Sequence, residues 1–197
     1  FKAKYATLSQ VLLHPRWAFD VGLRGKPHAF GNLSEVVPDA AHMEDVKAFI
    51  DAQFDPSVTW DDIAWLRSVW QGKLIIKGVL EENDARQSAD LGADGIVVSN
   101  HGGRQLDGVA SSISKLPGIA SAVGSDINVY MDGGVRSGID VIKAIALGAQ
   151  GVLIGRPWVW AVAGKGEAGL TSLLNTFQRE IAVAMALMGV NRIDQIH

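Results

Sequence analysis

Four short stretches of the 197-residue chain place polar groups beside glycine directly after apolar runs. They are Lys77-Gly78, Ser99-Asn100-His101-Gly102-Gly103-Arg104, Asp132-Gly133-Gly134-Val135-Arg136 and Gly155-Arg156. An apolar strand does not need such groups in order to fold. One such end is an accident of turn chemistry; four in succession point to a site. In the second stretch, the imidazole of His101 is suited to moving protons near neutrality. Arg104, three residues on, offers a fork that matches a carboxylate. The alternative there is a capped turn around a buried, satisfied histidine. The last two stretches read as a phosphate cradle: glycines admit backbone N–H groups to an anion, and each loop runs into a helix start that attracts negative charge. Arg136 and Arg156 would add guanidinium donors, unless the glycines form a plain tight turn and the arginines are solvated. Lys77 ends a run of Leu and Ile, so its ammonium needs an anion or a polarised carbonyl nearby. A flavin N1–C2=O edge would fit, and so would a lysine snorkelling at the sheet rim. His14, His28, His42 and His197 carry no such context and are read as ordinary histidines.

The elements that must position these groups follow from periodicity. Thr59 and Asp62 have capping-box spacing, and Ile63, Leu66, Val69 and Trp70 recur at helical intervals. Apolar strands are expected at 74–78, 95–100, 127–132 and 151–155. Helices are expected at about 81–91, 112–123 and 137–147, then a short one from Pro157 and a long amphipathic one over 169–188. Strands alternating with helices imply right-handed βαβ units and a parallel sheet. Either an open doubly wound sheet or a (β/α)8 barrel results. A full barrel needs about 250 residues and eight units, and four are present. In both architectures the working groups sit at the carboxyl ends of the strands.

Composition narrows the partners. Apolar residues make up 48% and charged residues 20%, enough for a packed core. The 18 basic and 21 acidic side chains leave −3, which argues against a general nucleic-acid binder. The absence of cysteine excludes disulfides and thiolate chemistry, and no His/Cys cluster supports a metal site. No apolar run reaches 18 residues. The opening stretch differs: Lys2, Lys4, Arg16, Arg24 and Lys26 oppose only Asp20, interleaved with Leu12, Leu13, Trp17, Phe19 and Leu23. Pro15, Gly22, Gly25, Pro27 and Gly31 make a long helix there improbable. Residues 31–57 read as a loop with one helical piece near 43–54. The chain is thus divided at 58/59, and reads as though it begins in the middle of a longer protein.

Ser99-Asn100-His101-Gly102-Gly103-Arg104-Gln105-Leu106-Asp107 closely resembles the active-site signature of the FMN-dependent 2-hydroxy acid oxidases and dehydrogenases. The likeness continues through Ile76-Lys77-Gly78, Asp132 to Gly138, Ala146 to Ala149, and Gly155-Arg156, covering about residues 55–188. His14-Pro15-Arg16-Trp17 and Asp20-Val21-Gly22-Leu23 look most like the bacterial quinone-linked L-lactate branch. The resemblance implies the carboxyl-terminal half of a (β/α)8 barrel with FMN at its carboxyl face. It implies His101 as the base and Arg104 as the substrate-carboxylate anchor. Lys77 would lie at the flavin N1–C2=O edge, with Ser99 hydrogen-bonded to the flavin or its neighbours. Asp132 would meet the ribityl chain, and Gly133, Gly134, Arg136, Gly155 and Arg156 would surround the phosphate. L-lactate would give pyruvate, with electrons passed to a quinone; a glycolate or lactate oxidase and a mandelate dehydrogenase are the alternatives within the family.

The family's first four strands are not in this chain, so one half of a barrel would carry two unpaired strand edges. Residues 1–58 correspond to a variable excursion after strand four that faces either substrate or an anionic lipid surface. A cytoplasmic enzyme, peripheral on the inner face of the cell membrane, and a homotetramer are the matching expectations. Two readings outside the family compete: a flavin-free barrel acting on a sugar phosphate, and a non-catalytic half-barrel that binds a phosphate ligand or a partner subunit.

Overall fold

The computed structural model describes residues 9, 11–25, 33 and 43–196. Lys2, Lys4, Lys26, His28, His42 and His197 lie outside the described residues. The chain divides into two compact units, residues 1–58 and 59–197.

In the first unit, Pro15–Trp17 makes one helical turn and runs on into a six-residue π-helix, Ala18–Leu23. Pro15 suits the first turn, where its missing N–H has no helical partner to lose. Asp20 lies between Arg16 and Arg24, at 3.7 and 4.0 Å, and the Arg24 guanidinium sits 4.9 Å from the Phe19 ring centre. Leu12, Leu13, Trp17, Phe19 and Leu23 are exposed. Helix α1, Met43–Gln53, falls where a helical piece is expected, with a Lys47–Asp51 ion pair one turn apart.

The second unit carries the βα rhythm. Helix α2, Trp60–Val69, opens where Thr59 donates its N–H and its hydroxyl to Asp62 Oδ2, each at 2.7 Å. There follow β1 Ile75–Val79, α3 Glu82–Asp90, β2 Gly95–Val98, α4 Ser112–Val123, β3 Asn128–Met131, α5 Gly138–Ala146, β4 Gly151–Val152 and α6 Arg156–Met188. Two expectations change. Strand β4 is short, pairing with β3 alone, and residues 153–155 lead from it into α6. The two expected final helices join into α6, broken at Lys165 and Gly166, whose backbone leaves the helical region. Gly164-Lys165-Gly166-Glu167-Ala168-Gly169 has the Gly-x-Gly-x-x-Gly spacing of a dinucleotide fingerprint. It lies at this break inside a helix, rather than between a strand and a helix, so it lacks the context that reading requires.

All strand pairs are parallel and their order is β1-β2-β3-β4. This order chooses between the two architectures. A doubly wound sheet reverses its winding at a switch point; here each crossover steps once in the same direction, as in a barrel wall. Ile96, Val98, Val129 and Met131 face the helices and meet Leu116, Ile119 and Val123 of α4 in the core. The alternate row on the other face is Lys77, Val97, Tyr130 and Gly151, aligned by register. Among the described residues β1 and β4 are edges, and Ile75 on that inner face is 50% exposed. Below the strands Asp94 acts as a clasp. It accepts from Lys73 Nζ at 2.6 Å, the Leu74 N–H at 2.9 Å and Arg67 at 3.4 Å, tying α2 to the start of β1 and β2.

Candidate active site

Parallel strands put their carboxyl ends on one edge of the sheet, so the polar groups of three tips can meet. They do. Lys77 Nζ lies 3.0 Å from Ser99 Oγ and 3.0 Å from Asp132 Oδ2. The first residue lies within β1 beside its bulge, the second follows β2 and the third follows β3. A bulge sets up the meeting: Lys77 pairs with Val97 and Val79 with Val98, which leaves Gly78 as the extra residue. Ser99 is buried and its hydroxyl also accepts the His101 N–H at 3.1 Å. Asp132 Oδ1 is buried without a hydrogen-bond partner. A buried carboxylate oxygen without a donor is costly unless something else fills that position.

His101 has φ of 53°, the sole positive value at a non-glycine residue among those described. Such a backbone costs about 1–3 kcal/mol and persists only where its surroundings over-determine it. Here they do. Asn100 Oδ1 accepts the Gly102 N–H at 2.9 Å, the Asn100 carbonyl accepts the Gly103 N–H at 3.0 Å, and the Asn100 N–H donates to Ser112 Oγ at 3.1 Å. Beneath the ring, Gly78 supplies space. A Cβ there would stand 2.8 Å from His101 Cε1. The imidazole is exposed on the carboxyl face, as is Arg104. Among the described residues the guanidiniums of Arg104 and Arg136 have no hydrogen-bond or ion-pair partner.

On the cradle side, Gly133 has φ of 89° and abuts Asn100 Oδ1 and Ser112 Oγ, which would lie 2.8 and 2.9 Å from a Cβ. It is a close-packed turn glycine. Gly134 and Gly155 have open space where a Cβ would point. The start of α5 is already satisfied internally. Ser137 Oγ accepts the Asp140 N–H at 3.2 Å, Asp140 Oδ2 accepts the Arg136 N–H at 2.9 Å, and Glu180 Oε2 accepts the Gly138 N–H at 2.6 Å. Partial burial pushes the Asp140 carboxyl up, but the Arg136 N–H, the Ser137 hydroxyl and N–H, and Lys143 together hold it below the usual carboxylate range. Arg156 turns its guanidinium toward the histidine loop: Nη2 donates to the Gly102 carbonyl at 2.9 Å. The cradle's free donors are therefore the Gly134 side of the turn, the Arg136 guanidinium and the Gly155-Arg156 backbone.

All ten residues read from the sequence as a site thus lie at the carboxyl edge. Lys77, Ser99 and Asp132 touch, Arg156 touches the histidine loop, and Arg104 and Arg136 stand free of described partners. Asn100 and Ser112 organise the loop and were not singled out from the sequence. Their signal was available, since Asn100 stands beside the histidine and Ser112 at a helix start. A separate cleft of about 720 Å³ lies near the opposite edge of the sheet, lined by Ile145, Gly148, Met185, Arg192 and Ile196 among others. There the Arg192 guanidinium is already paired with Asp194.

Comparisons with known proteins bear on the family and the fold. The model of the FMN-dependent dehydrogenase family matches residues 1–197. The L-lactate dehydrogenase of Caulobacter vibrioides is 53% identical over 190 residues, 96% of this chain and 50% of that protein. The L-lactate dehydrogenase of Pectobacterium atrosepticum is 52% identical over 187 residues, 95% of this chain and 48% of that protein. The chain spans about half the length of the curated relatives it matches. Among solved structures, a mandelate oxidase with a monooxide FMN adduct has a TM-score of 0.68 at 45% identity, covering 71% of this chain and 44% of that one. A mandelate oxidase with benzoyl-formic acid has a TM-score of 0.68 at 39% identity, covering 77% and 49%. With its strand order, its glycine-flanked strand tips and a match along its whole length, the chain belongs to the FMN-dependent dehydrogenase family.

Proposed function

We propose that this half-barrel carries the working face of an FMN-dependent oxidoreductase that converts an L-2-hydroxy acid to the 2-oxo acid, with L-lactate giving pyruvate. The observation that carries the reading is the contact of Lys77 with both Ser99 and Asp132, beside the unpartnered buried oxygen of Asp132. A ribityl hydroxyl is a donor of the kind that oxygen lacks, and the open positions at Gly134 and Gly155 leave backbone room for a phosphate. The residues present therefore fit FMN. Lys77 and Ser99 would hold the isoalloxazine edge, Asp132 the ribityl chain, and Gly134, Arg136, Gly155 and the Arg156 N–H the phosphate, with Gly133 shaping the turn.

Bound FMN supplies the oxidant, accepting the two electrons that the hydroxy acid loses. The chain's own residues do the rest. Arg104 takes the substrate carboxylate in a two-pronged grip, which fixes the α-carbon relative to the histidine loop. His101 takes up a proton released as the hydroxyl carbon becomes a carbonyl. Lys77 places positive charge where the flavin gains negative charge on reduction.

The acceptor we assign is a quinone, in a cytoplasmic homotetramer held peripherally at the inner face of the cell membrane. Exposed Leu12, Leu13, Trp17, Phe19 and Leu23 beside Arg16 and Arg24 support contact with anionic lipid. Among the described residues, no helix is long and apolar enough to cross a membrane. Likeness to mandelate oxidases supports a second reading, an enzyme that takes an aromatic 2-hydroxy acid or uses dioxygen as acceptor. Turnover of the full-length protein with lactate, glycolate and mandelate, each with a quinone analogue and with dioxygen, separates the two. No flavin absorption and no turnover with any of them would refute both.

A further inference from the structure

We propose that Glu180, on the last helix, is a positioning residue for the phosphate-binding turn, which it holds through the Gly138 N–H. The proposal rests on the cofactor assignment above. The turn at 133–138 must present the Gly134 backbone and the Arg136 guanidinium in fixed places, yet it opens on two successive glycines, Gly133 and Gly134, with little intrinsic stiffness. It is fastened further along. Val135 is buried in the core. Asp140 fixes the Arg136 N–H. Gly138 lies so close to α6 that a Cβ would stand 2.5 Å from the Phe177 carbonyl and 2.7 Å from Glu180 Cβ. Across that contact Glu180 Oε2 accepts the Gly138 N–H at 2.6 Å, a charge-assisted hydrogen bond spanning 42 residues of sequence.

The same bond has an electrostatic consequence. Glu180 meets the Gly138 N–H, which a free helix end would offer to an anion, and Asp140 adds a second carboxylate there by taking the Arg136 N–H just before the helix. The phosphate is thereby directed to the Gly134 side of the turn and to the Arg136 guanidinium. Removing the Glu180 acceptor frees the turn to move and leaves the buried Gly138 N–H unpaired.

FMN and riboflavin differ by the phosphate alone, so their affinities for the full-length apoprotein isolate the effect. By flavin-fluorescence quenching, Glu180→Ala is expected to weaken FMN binding roughly tenfold, the scale of one charged hydrogen bond, with riboflavin affinity changed less than about twofold. Glu180→Gln, which keeps an acceptor, is expected to recover most of the FMN affinity. Unchanged FMN affinity in Glu180→Ala, or equal losses for FMN and riboflavin, would overturn the proposal. An unmutated protein that binds the two flavins equally would overturn the phosphate cradle itself, and this role of Glu180 with it.

Discussion

The Arg156 guanidinium donates to the carbonyl of Gly102 at 2.9 Å, fastening the start of the last helix to the loop that carries His101. Under the proposed function, one residue would contribute a backbone N–H to the cradle and a side chain to the loop of His101. Arg156→Ala in the full-length protein is expected to slow flavin reduction roughly tenfold by releasing the histidine loop, with FMN affinity changed less because the backbone N–H remains. Arg156→Lys keeps the charge but not the fork. It is expected to recover part of the rate, as measured by anaerobic reduction with flavin titration alongside.

The bulge at Gly78 is expected to be intolerant of any side chain. Gly78→Ala puts a methyl 2.8 Å from His101 Cε1 and demands a φ of 101° from an L-residue. Displacing the imidazole by about an ångström costs on the order of a hundredfold in rate. FMN affinity should change less than about threefold, because the cradle lies two strands away. Equal loss of both in steady-state kinetics and flavin titration would count against the spacing argument.

The Lys77–Asp132 pair should show coupling. Lys77 is partly exposed and Asp132 largely covered, so solvent screens the attraction and the pair contributes about 1 kcal/mol at most. A double-mutant cycle with Lys77→Met and Asp132→Asn, read by urea unfolding of the apoprotein, is expected to return that coupling energy. Additive effects would mean that the contact is incidental.

Asp140 predicts a pH dependence. Its carboxyl titrates below the usual range in the folded protein, so the charged form stabilises the fold. That contribution is full above about pH 5 and is lost as pH falls through the lowered folded pKa, below the unfolded value of about 3.9. Asp140→Asn should therefore be less stable at neutral pH, with the gap closing as pH falls below the unfolded value. Thermal melts of both proteins across that range measure it.

Much of this was legible in the sequence because strand polarity is local information. Apolar runs ending in Lys77, Ser99 and Asp132 announced their own carboxyl ends, and parallel winding then required those ends to share an edge. The choice between an open sheet and a barrel wall was not local; it needed the observed strand order. Contacts across distance were hidden for the same reason. The Glu180–Gly138 bond and the Asp94–Arg67 clasp each join residues more than twenty positions apart. The helix start at α5, which reads as an anion site from sequence, turned out to be filled by Ser137, Asp140 and Glu180. The space under His101 was hidden too, since a glycine after lysine reads equally well as a strand end.

The central assignment is proton transfer by His101 at a cofactor held by the neighbouring strand tips. Anaerobic stopped-flow bleaching of the bound flavin by L-lactate, in full-length protein and in His101→Ala, tests it most directly. The expected result is a rate lower by roughly a hundredfold to ten-thousandfold, with flavin content unchanged. A His101→Ala protein that bleaches at the parental rate would contradict it.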